Sequence, residues 1–78
     1  MTRERAAQLK GTCVYFPVGM GGGILSGIIA DTSDNMYASV NSHVKISEVR
    51  YEELYETYED CKESENLRRR IMERAFFR

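Results

Sequence analysis

The chain contains no tryptophan, one proline, one histidine and two cysteines. Each shortage closes off a class of chemistry. With His43 as the only histidine, neither a multi-histidine metal site nor a histidine-based triad is supported. Cys13 and Cys61 form at most one bridge and no four-ligand zinc site, and in a reducing compartment both are expected to be free thiols. Neither sign of charge is in large excess: 11 Lys and Arg stand against 12 Asp and Glu, a formal net charge of −1. That balance disfavours a globally basic nucleic-acid binder or a polybasic membrane protein. No apolar run approaches the roughly 20 residues of a membrane-spanning helix, and Met1-Thr2-Arg3-Glu4-Arg5 leads into no signal-peptide stretch. A soluble, cytoplasmic protein is expected. At 78 residues the chain can bury one core, so a single domain over 1–78 is expected.

What is present suffices for a fold, since 42% hydrophobic residues exclude wholesale disorder. Thr2 is placed to cap a short helix that ends at Gly11. Thr12-Cys13-Val14-Tyr15-Phe16 reads as a first strand with Pro17 at its end, where a missing N–H is tolerated. Gly19-Met20-Gly21-Gly22-Gly23 is a flexible connection, and Ile24–Ala30 is a second strand with Gly27 as a bulge or bend. Asp31–Asn35 is a turn, Met36–Val40 a third strand, and His43–Ile46 a fourth with Val44 and Ile46 on its buried face. Ser47-Glu48-Val49 reads as one helical turn. Residues 50–56 fit either a fifth strand or the cover of a barrel end. Thr57-Tyr58-Glu59-Asp60 matches a capping box, so a helix is expected over 58–76, with Tyr58, Cys61, Leu67, Ile71, Met72, Ala75 and Phe76 along its apolar side. The expected class is α+β: a small antiparallel barrel or curled sheet of four or five strands, with a short N-terminal and a longer C-terminal helix.

The near-neutral total hides a dipole. Residues 48–65 hold eight acids and two bases, a net −6, whereas 66–78 carry a net +4. Acids at a helix start and bases at its end complement the helix dipole, and the same arrangement can serve as a partner-binding face. The candidate partner-binding residues are Met20 at the glycine loop tip, Tyr51 and Tyr55 as the most exposed aromatics, Glu52, Glu53, Glu56 and Glu59, the triplet Arg68-Arg69-Arg70, and Phe76 and Phe77. Tyrosines among glutamates suit a cationic partner. Counted at 100° per residue, Arg68 falls inside the apolar stripe of the helix, where a charge needs a carboxylate or an interface. That stripe is also wider than a small barrel covers, so a homodimer through the C-terminal helix is expected, with Arg68 meeting an acid across the axis. The cysteines are expected as small core residues. The glycine loop lacks a following Lys-Ser/Thr pair and a helix start, which argues against phosphate binding.

Lys10-Gly11-Thr12-Cys13-Val14-Tyr15-Phe16 resembles the Gly-x-x-Val-x-apolar opening of small SH3-like barrels of the KOW and Tudor type, and Leu25-Ser26-Gly27-Ile28-Ile29 resembles their second strand. The resemblance covers roughly residues 10–56 and implies a barrel fold. Compact acidic chains of this plan are similar to small open reading frames of phages and mobile elements, some of which inhibit host defence nucleases, as anti-CRISPR proteins do. That resemblance transfers no catalytic residue. The expected function is therefore a non-enzymatic interaction module that occupies a partner's surface, with no cofactor and no metal. The partner is expected to be a protein, such as a nucleic-acid-binding effector whose basic groove the Glu48 to Glu65 block would fill. The alternative is a nucleic-acid-binding accessory protein that uses the arginine-rich helix.

Overall fold

Thr2 caps the first helix: its Oγ1 accepts the Arg5 N–H at 3.2 Å and starts α1, Arg3–Gln8. The helix stops where Gly11 adopts φ +87°, a left-handed conformation that a side chain would strain. The computed structural model describes residues 1–18, 23–43 and 45–76, without the side chains of Arg69 and of residues 72–76. Four strands follow α1, namely β1 Cys13–Pro17, β2 Ile24–Asp31, β3 Tyr37–Asn41 and β4 Ile46–Arg50. They form one antiparallel sheet in the order β1-β2-β3-β4. A 3₁₀ turn, Tyr51–Glu53, and α2, Tyr58–Phe76, complete the chain.

The sheet curls into a half-barrel around one apolar cluster. Val14 and Phe16 of β1, Ile29 of β2, Ala38 and Val40 of β3 and Val49 of β4 point inward at every second residue, as the pleat requires. Ala6 of α1, Tyr51 of the 3₁₀ turn and Leu54 complete the cluster. The Tyr51 hydroxyl donates to the Asp34 carbonyl at 2.6 Å, which gives its only polar atom a partner inside the fold. Arg3 ties the β2–β3 loop to α1 by donating to the carbonyls of Thr32 and Ser33 and to Asn35 Oδ1.

β1 gains a neighbour on its free edge. Tyr15 and Tyr55 exchange both backbone hydrogen bonds at 2.9 Å, a one-residue antiparallel bridge. The chain thus runs β4, 3₁₀ turn, bridge to β1, an order compatible with an SH3-like barrel whose last strand has shrunk to one residue.

Several expectations need correction. Gly27 is no bulge: it pairs in register with Val14, and the irregularity lies between Ile29 and Asp31. Glycine is required at 27 because a Cβ there would stand 2.6 Å from Val40 Cγ1 and 2.8 Å from the Asn41 carbonyl oxygen. The fourth strand begins at Ile46, so Ser47, Glu48 and Val49 are strand and the one-turn helix comes later, at Tyr51. Val49 fills the core position and Ile46 is exposed, the reverse of the expected pattern; Val44 lies outside the described residues. Cys13 points outward and only Cys61 is buried. Tyr51, expected at the surface, is core.

Candidate functional site

α2 lies against β1 and β2, and its start is fixed by Thr57, whose Oγ1 accepts the Asp60 N–H at 3.2 Å. The β1–β2 register sets Cys13, Tyr15, Ser26 and Ile28 on the face opposite to Val14 and Phe16, away from the core cluster. Along the seam between that face and α2, three tyrosines meet. The rings of Tyr15 and Tyr58 stand edge to face, 6.1 Å apart at 81°, and the Tyr55 hydroxyl shares a 2.6 Å hydrogen bond with Ser64 Oγ. Tyr15 and Tyr55 are half-buried by this contact, whereas Tyr58 stays 49% exposed with Lys62 Nζ 6.0 Å from its ring centre. Cys61 is buried beneath, and burial, with a smaller push from Glu65, raises its thiol pKa. It is held neutral and unreactive.

Charge around the seam is divided into two sets. Arg5 pairs with Glu56, Arg50 with Glu52 at 3.4 Å, and Arg68 with Glu53 at 4.0 Å and Glu65 at 3.8 Å. Four of the eight acids of the block are thereby paired within the chain, by three arginines. Within its own chain Arg68 finds the carboxylate partners that its place on the apolar stripe calls for. Glu59, Asp60 and Glu63 are exposed at the start of α2, and none pairs with another described residue. Glu59 thus follows the exposed tyrosine directly in the chain, whereas Asp60 and Glu63 fall on the far side of the helix.

The expected partner-binding residues do not form one surface. Tyr55 belongs to the seam, Glu53 pairs with Arg68, Glu59 is exposed on the first turn of α2, and Glu52 and Glu56 are tied to other arginines. Tyr51 is withdrawn into the core. Arg70 is exposed; Met20 and Phe77, and the side chains of Arg69 and Phe76, lie outside the described residues. Tyr15 and Tyr58 are not among the expected partner-binding residues. A signal for each existed, since Tyr15 alternates with core residues and Tyr58 sits at the first helical position, yet their meeting is a tertiary fact. Among the described residues, no three His, Cys, Asp or Glu gather as metal ligands, and no helix is long and apolar enough to cross a membrane.

Compared with known proteins, the chain matches no family model, and no curated protein or solved structure is significantly similar to it.

Proposed function

We propose that this chain is a non-enzymatic protein-interaction module that docks a basic protein surface against the β1–α2 seam. The carrying observation is the half-exposed Tyr58 ring, braced edge-on by Tyr15, with the exposed Glu59 next to it in the first turn of α2. A braced aromatic loses little freedom on binding, and a neighbouring carboxylate helps to attract and orient arginine or lysine on the partner. The SH3-like plan supports the reading, because it leaves such a seam on the outside of a filled barrel. A partner rich in basic surface fits a nucleic-acid-binding effector, with a defence nuclease of the host of a phage or mobile element as the specific case. Cytoplasmic action follows from that choice of target.

Direct nucleic-acid binding is the competing reading. It is disfavoured because Arg68 is already engaged by two carboxylates, leaving fewer cations for phosphate. Titration of labelled single- and double-stranded oligonucleotides at low salt separates the two. The expected result is no binding tighter than about 10 μM, the range of weak non-specific association. Sub-micromolar binding with a steep salt slope, lost in Arg68→Ala/Arg69→Ala/Arg70→Ala, would reverse the assignment.

A further inference from the structure

The far half of α2 carries a second surface. Leu67 is 60% exposed and Ile71 62%, although each is a large apolar side chain one helical turn from the other. At 100° per residue Leu67 lies about 120° round the helix from buried Cys61 and about 180° from Tyr58, so this row is separate from the seam. Asp60 and Glu63 precede Leu67 in the same row, and Arg70 follows it beside Ile71, all three exposed. Spacings of three and four residues make the row a coiled-coil seam that reads acid, apolar, base along the helix. Leu67 is also the midpoint of α2, which runs from Tyr58 to Phe76.

We propose that this row is a self-pairing surface, on which a second copy of the chain lays its own α2 antiparallel, crossing just before Leu67. The charge order selects both the occupant and the direction. A parallel pair would set Glu63 beside Glu63 and Arg70 beside Arg70, which repel. An antiparallel pair that crosses just before Leu67, between residues 66 and 67, sets Glu63 beside the other copy's Arg70 twice, by symmetry, and draws Leu67 and Ile71 of both helices into the contact. A partner of uniform charge would complement only half of the row. The long dimension of the molecule, 43 Å against 25 and 20 Å, leaves room for the two bodies to sit apart. Arg68 is no part of this row and lies near Glu53 and Glu65 of its own chain.

The test is sedimentation equilibrium of the full chain over a micromolar range, with circular dichroism to confirm that each variant is folded. Wild type is expected to approach twice 9.0 kDa. Glu63→Arg and Arg70→Glu should each weaken the dimer by about tenfold or more, and the combined Glu63→Arg/Arg70→Glu should return to within about threefold of wild type. Leu67→Glu should abolish it. A 9.0 kDa monomer at every concentration would overturn the proposal, and so would a double variant as weak as the two single ones.

Discussion

Gly27 and Asp34 each hold a piece of backbone that no other residue type would hold as well. At Gly27, the obstacle to a side chain is partly the Asn41 carbonyl, which belongs to the paired β3 and cannot swing aside. Gly27→Ala should therefore destabilise the fold by about 1–3 kcal/mol, the usual cost of forcing a methyl into a filled space. A urea unfolding midpoint that stays at the wild-type value would refute this. Asp34 accepts the N–H groups of Met36 and Tyr37 at 2.8 and 3.0 Å, and these bonds lower its pKa from the ordinary 3.8. The Asp31 carboxylate is lowered too, chiefly by the Ser33 hydroxyl. A carboxylate with a depressed folded-state pKa stabilises fully above its unfolded value, and that contribution drains away as pH falls through the depressed one. Thermal midpoints should thus fall as acid is added below about pH 4, and fall less steeply in Asp34→Asn, whose amide cannot be protonated in that range. An unchanged slope in the variant would assign the acid sensitivity elsewhere.

Among the elements, those with a local chemical signature were legible in the sequence and those defined by a distant partner were not. α1 is announced by Thr2 and Gly11, α2 by Thr57, and β1 to β3 by β-branched and aromatic runs between turn formers. β4 was misplaced because Val44 and Ile46 alternate as well as Ser47 and Val49 do. The register is decided by β3, where Ala38 lies opposite Val49 and the pair fills the core. The 3₁₀ turn slid from 47–49 to Tyr51–Glu53 for the same reason. At the candidate site, the exposed acids of α2 could be read directly, but the Tyr15–Tyr58 contact could not, since it joins residues 43 positions apart. Nor could the ion pairs that withdraw Glu52, Glu53 and Glu56 from a partner. The two cysteines report on how α2 docks. Cys13 is exposed and Cys61 buried with a raised thiol pKa, so a thiol reagent should modify one equivalent quickly and the second only at the rate of helix release or unfolding. Equal rates for both would show that α2 does not stay on β1 and β2.

Taken as a whole, the molecule is a half-barrel filled from within, with a helix laid across the outside of its first two strands. The interior is an apolar cluster with no buried polar residue among the described ones, and the chemistry-bearing side chains sit on the exterior, at the seam and along α2. The central claim is that the seam binds a protein, and that Tyr58 is where it does so. Its most direct measurement is capture from extract of the source cell on the immobilised chain, after nuclease treatment, compared by mass spectrometry with capture on folded Tyr58→Ala. The account predicts one stoichiometric protein that survives nuclease treatment and is lost with Tyr58→Ala. Capture that vanishes with nuclease, or a protein retained equally by Tyr58→Ala, would contradict it.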